Sequence, residues 1–223
     1  MSTPLHAVRP RARPLASRAA FGFGTGMGLG AALGALAWLA DQLPYPWDTL
    51  LPANAIGTWL ALGFLLGASA KTVPTGALRG LIGLLTGVAA YYALISIFAV
   101  GFRLIGAPHA ATTWGAVALV AGPVFGAAGG AWRHMEGNWR GIAVGLLAAS
   151  LIAEGVAFGK LRTGDAVAIF YLVEIGIGLL LPIFLLRPRE RLAGYGATVV
   201  LAAAMAIAIE PVTALVRSAA DRF

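Results

Sequence analysis

From Gly194 to Val216 the chain reads GYGATVVLAAAMAIAIEPVTALV, a run whose one charged residue is Glu210. A helix that crosses a bilayer needs about 20 mostly apolar residues. Backbone groups in lipid must find their partners inside the segment, which makes such a run helical. Six further stretches upstream read the same way. Seven spans are therefore expected, at about 19–42, 54–70, 76–101, 113–131, 141–159, 165–186 and 194–217. Strand-like alternation is absent, which argues against a β-barrel. Composition agrees: the 223 residues are 59% hydrophobic and 11% charged, with a mean hydropathy of +0.84, whereas soluble domains carry about 25% charge. A disordered chain would be polar and charge-rich. The sequence has no cysteine, which excludes disulfide scaffolds, thiolate nucleophiles, Cys-ligated zinc and cysteine lipidation.

The fold expected is all-α: a polytopic seven-helix membrane bundle. Its parts are a basic cytoplasmic tail over 1–18, a transmembrane domain over 19–217 and a short outer tail over 218–223. Orientation follows from the basic residues, which concentrate on the cytoplasmic side. With the N-terminus inside, eleven fall in inner segments: Arg9, Arg11, Arg13, Arg18, Lys71, Arg79, Arg133, Arg140, Arg187, Arg189 and Arg191. Five fall outside: Arg103, Lys160, Arg162, Arg217 and Arg222. The expectation is N-in, C-out in the cell membrane. Arg residues before an apolar run also describe a signal peptide, but 19–42 is long for one, and the first span is expected to remain. The net charge of +7 fits anionic headgroups at Arg187–Arg191, and no nucleic-acid partner is expected.

Gly22, Gly26, Gly30 and Gly34 recur every four residues and line one face of the first helix. Such ridges let helices approach closely. Packing within the bundle is the first expectation for this face, a homodimer interface the alternative. Gly63 and Gly67, and Gly122, Gly126 and Gly130, repeat the pattern. Pro123, Pro182 and Pro211 lie within spans and favour kinks. No internal repeat stands out, which weakens an inverted-repeat transporter.

Nine acidic residues are present. Glu136 and Glu190 fall beside Arg in inner loops, where solvated charge is expected. Asp41 and Asp48 flank the first outer loop. Glu154, Glu174 and Glu210 lie inside apolar spans, where a carboxyl is costly and a functional candidate by default. At 1.5 Å per residue they sit roughly 9, 13 and 10 Å from the outer boundary, all in the outer half. Trp38, Asp48, Asn54, Trp59, Tyr91, Tyr92 and Trp114 share that half. Phe158 follows Glu154 by four residues, and Phe170 and Tyr171 precede Glu174 by four and three, spacings that share a helix face. An aromatic pocket with embedded carboxyls is expected, with those ten residues as binding candidates and the three glutamates as catalytic candidates. Its ligand would be a lipophilic small molecule arriving from the bilayer, in contact with membrane lipid.

Other chemistries lack their residues. No H-E-x-x-H pair supports zinc, no G-x-S-x-G elbow supports a serine hydrolase, and no Walker loop is present. No metal and no cofactor is expected. The Gly22–Gly28 stretch follows no strand and lacks the dinucleotide register.

The residues Asn54-Ala55-Ile56-Gly57-Thr58-Trp59, Gly67-Ala68 and Tyr91-Tyr92 resemble an uncharacterised family of small bacterial polytopic membrane proteins. In size, span count and buried Glu the chain is also similar to integral membrane terpene cyclases. That resemblance implies metal-independent cyclisation of a prenylated, isoprenoid substrate, as in meroterpenoid biosynthesis, started by a protonated glutamate. Glu174 would donate the proton, Glu210 or Glu154 would serve as second acid or base, and the aromatic rings would stabilise carbocations. The alternative is a small transporter or substrate-binding membrane subunit with an outward-facing acidic pocket, and a third reading is a structural subunit of a larger complex.

Overall fold

The computed structural model describes the backbone of residues 15–98, 102–159 and 165–220, and the side chains of 22–98, 108–158 and 166–207. The tails proposed for 1–18 and 218–223 lie almost wholly outside these residues. The described chain is all-helical. Its elements are α1 (Leu15–Ala40), α2 (Trp47–Leu50), a 3-10 turn (Pro52–Asn54), α3 (Ile56–Ala68), α4 (Val73–Phe98), α5 (Phe102–His134), α6 (Asn138–Gly159), α7 (Asp165–Leu185) and α8 (Pro188–Ala220).

Six of these helices hold stretches long and apolar enough to cross a membrane: α1, α4, α5, α6, α7 and α8. The chain is a multi-pass membrane protein. The segment expected to span at 54–70 differs. α3 has 13 residues, about 20 Å of helix against about 30 Å of hydrocarbon. Pro52 cannot donate to a helix ladder, and Ala55 is extended at φ −79°, ψ 132°, so the helix starts at Ile56.

α4 lies between α1 and α5, α6 lies between α7 and α8, and α3 packs against α4, α5 and α6. The centre holds Phe64, Phe125, Val144, Leu147 and Leu186. Phe184, Leu192 and Ile207 are more than three-quarters exposed, the outward apolar face that lipid requires.

Close approach of backbones decides the α1–α4 contact. A Cβ on Gly34 would collide with the backbone carbonyl of Gly87, and one on Gly30 with that of Gly83. At Gly30 and Gly34 the glycine face of α1 thus packs against α4 within the chain. Gly24 and Gly28, on the other side of α1, have open space around them.

The end of the bundle that carries the α5–α6 and α7–α8 corners is tied by side chains. Glu190 was expected to be solvated, yet it is fully buried. It accepts hydrogen bonds from the backbone N–H of Arg187 (3.1 Å) and of Gly137 (3.3 Å), and it pairs with Arg140 at 3.7 Å. The first turn of a helix leaves N–H groups without partners, and Glu190 serves both its own helix and the neighbouring corner. Glu136 matches expectation, since its side chain is 69% exposed beside Arg187 and Arg189.

Candidate functional site

The opposite end of the bundle is built around the start of α3. A helix normally takes Ser, Thr, Asp or Asn as its N-cap to satisfy the first N–H groups. Ala55 offers no side-chain oxygen. Glu154 supplies both acceptors from α6 instead: Oε1 accepts the Ile56 N–H at 2.8 Å and Oε2 the Gly57 N–H at 2.5 Å. A carboxylate here also meets the positive end of the helix dipole.

Glu174, on α7, arrives at the same point. Its carboxyl faces that of Glu154 beside Gly57. A Cβ at position 57 would stand 2.6 Å from Glu174 Oε1 and 3.2 Å from Glu154 Oε2, so only glycine leaves room for both. The two side chains are each 6% exposed, and Glu174 Oε2 is buried without a hydrogen-bond partner. Among the described residues, the ion pairs involve Glu136 and Glu190 and neither member of this pair.

A cavity of about 360 Å³ lies against this point. It shares a wall with the carboxyl pair, because Ile56 and Tyr171 both line it. Its polar side is a connected network. Asp41, at the end of α1, accepts hydrogen bonds from the Tyr91 hydroxyl and from Asn54 Nδ2, the latter at 2.7 Å. Asn54 Nδ2 also donates to the Asp48 carbonyl at 2.8 Å. Asp48 Oδ1 accepts the Thr49 N–H at 2.7 Å. Trp59 Nε1 donates to the Ala53 carbonyl at 2.9 Å, which fixes the indole against the wall. Tyr91 and Tyr92 meet edge to face at 4.9 Å, as do Phe170 and Tyr171 at 5.4 Å. Leu60, Leu84, Val88, Val117 and Ala118 complete an apolar floor.

Eight of the ten expected binding residues line this cavity: Asp48, Asn54, Trp59, Tyr91, Tyr92, Trp114, Phe170 and Tyr171. Trp38 does not line it and packs on Phe98 at 5.2 Å. Phe158 stands behind the wall, stacked on Tyr171 at 6.2 Å. Glu154 and Glu174 converge, but outside the lining residues. The Glu210 side chain lies outside the described residues. Asp41 is the lining carboxylate that was not singled out. The signal for it was Tyr91: a phenol hydroxyl inside a span needs an acceptor, since lipid offers none.

Among the described residues no group of three or more His, Asp or Glu stands where it would hold a metal ion. Neither the curated proteins nor the solved structures contain a match to this chain. A family model described as "Family of unknown function (DUF6518)" matches residues 13–216. With that match over nearly its whole length, this multi-pass membrane protein belongs to the DUF6518 family.

Proposed function

We propose that the chain binds a small lipophilic organic cation in the cavity beside α3, as a transporter or as the substrate-binding subunit of one. The observation that carries this reading is the cavity's lining. Two carboxylates, Asp41 and Asp48, and six aromatic rings face it, and among the described residues no Lys, Arg or His does. Aromatic faces attract cations, more strongly where water is excluded. A carboxylate supplies the counter-charge, and the apolar floor suits alkyl or aryl substituents. A volume of about 360 Å³ falls in the range of small-molecule sites, about 300–1,000 Å³.

In this reading the bundle has seven crossings in the cell membrane, with α3 as the short one. The N-terminus is inside and the C-terminus outside, following the excess of Arg and Lys in the segments assigned to the cytoplasm. The cavity then opens toward the outer half. The test is calorimetric titration of the purified protein in lipid nanodiscs with tetraethylammonium and larger tetraalkylammonium ions. Saturable binding is expected, weakened about tenfold or more by Asp41→Asn or Trp59→Ala. No saturable binding of any member of the series would remove the proposal.

The same aromatic cage favours a second reading, an acid-initiated cyclase of a prenylated substrate, because rings that stabilise a bound cation also stabilise a carbocation. Glu174 follows Tyr171 by three residues on α7, within reach of the wall. Its carboxyl is turned to Glu154 and Gly57, however, so that Asp41 and Asp48 are the acids in the cavity itself. Incubation with prenylated indoles or quinols distinguishes the two: cyclised products of unchanged mass belong to the cyclase and not to the cation-binding protein.

A further inference from the structure

We infer that Glu154 and Glu174 form a proton-binding site, distinct from the cavity but sharing its wall. Two buried carboxyls from different helices meet at Gly57, and among the described residues neither has a basic partner. Two carboxylates buried this close repel one another, so one of them must hold a proton. The two N–H groups at the start of α3 occupy Glu154 and favour its charged form. The proton therefore sits on Glu174. Its second oxygen, Oε2, is buried and has no partner, which the neutral acid tolerates far better than an anion does.

A metal ion is the other way to balance two buried carboxyls. Hard cations such as calcium take about 6–8 oxygen ligands. Here the described residues bring together only two carboxyls, with Glu154 already held by backbone donors. The surrounding titratable groups agree with a proton. Asp41, just past the end of α1, and Asp48 on α2 face the neighbouring cavity, as do Tyr91 and Tyr92 on α4 and Tyr171 on α7, and among the described residues no basic side chain lines it.

The site is placed to feel the cavity. The Ile56 N–H that holds Glu154 belongs to a lining residue, and Tyr171 lies one turn before Glu174. A cation entering the cavity stabilises the ionised pair and expels the proton, so one charge enters as one leaves. This coupling rests on the cation-binding reading, whereas the proton site itself does not.

The test is infrared spectroscopy of the full chain in lipid nanodiscs at neutral pH. A protonated-carboxyl C=O stretch is expected, downshifted in heavy water and lost in Glu174→Gln. If that variant fails to fold, carboxyl-labelled glutamate in the unaltered protein must shift the band. The absence of a band, or a band unmoved by both the substitution and the label, overturns the proton site. Tetraethylammonium is then added. Binding with loss of the band and release of about one proton, read by a pH dye, supports the coupling. Binding with an unchanged band overturns it. A band without any binding keeps the proton site and removes the cation reading.

Discussion

Glu154 Oε2 accepts a hydrogen bond from the backbone N–H of Gly57 at 2.5 Å, across 97 positions of sequence. The bond joins α6 to the first turn of a helix too short to cross the bilayer alone, and it sets the wall of the cavity. Removing the carboxylate leaves the Ile56 and Gly57 N–H groups without acceptors. Each buried unsatisfied group costs about 1–3 kcal/mol. Glu154→Ala is therefore expected to lower unfolding stability in detergent by about 2–6 kcal/mol. Thermal or denaturant unfolding checks this, and a loss below about 0.5 kcal/mol would mean that α3 starts without its cap.

Gly57 sits between the two carboxyls, and its neighbours forbid a side chain. Gly57→Ala places a methyl 2.6 Å from Glu174 Oε1. Overpacking of this kind costs about 1–3 kcal/mol. Gly28→Ala is the matched contrast, since nothing lies within 4 Å of the added methyl. That substitution is expected to be neutral or to stabilise by up to about 1 kcal/mol, from helix propensity. Parallel melts of the two variants read the difference directly.

The glycine contact between α1 and α4 gives a second contrast. In Gly34→Ala the methyl meets the Gly87 backbone, which cannot rotate away as a side chain would. Helix separation must grow, at a cost of about 1–3 kcal/mol. Because the contact lies within one chain, the variant's oligomeric state by light scattering should match the wild type.

Glu190 and Glu136 are both near arginines but differ in burial. Breaking a buried pair leaves uncompensated charge, worth about 3–5 kcal/mol. Exposed pairs are worth about 0–1 kcal/mol. Glu190→Ala should therefore unfold the protein well before Glu136→Ala does. Equal melting temperatures would contradict the capping role of Glu190.

How much of this was legible beforehand follows from the kind of signal each residue carries. Long apolar runs announce six of the crossing helices, because lipid solvation requires apolar length whatever the packing. The same signal overstated α3. Hydrophobicity does not report where the backbone leaves the helix, and the group that fixes its start, Glu154, lies on a helix distant in sequence. Helical spacing placed Phe170 and Tyr171 with Glu174. It did not say which face turns inward, so that Trp38 and Phe158 were grouped with a cavity they do not line. Glu190 reads as a solvated charge, and Asp41 as no more than the flank of a loop. Both are instead acceptors for groups that the fold buries, Tyr91 and Asn54 for the one and the corner N–H groups for the other.

The cavity's charge preference is the central claim, and one comparison tests it most directly. Binding of a quaternary ammonium alcohol to the protein in nanodiscs is set beside binding of its uncharged isostere, in which carbon replaces the ammonium nitrogen. The two have the same shape, so any difference reports on charge alone. The account predicts that the cation binds at least about tenfold more tightly, a difference of about 1.4 kcal/mol, and that Asp41→Asn narrows the gap. Equal affinity for the two, or tighter binding of the neutral compound, would contradict it.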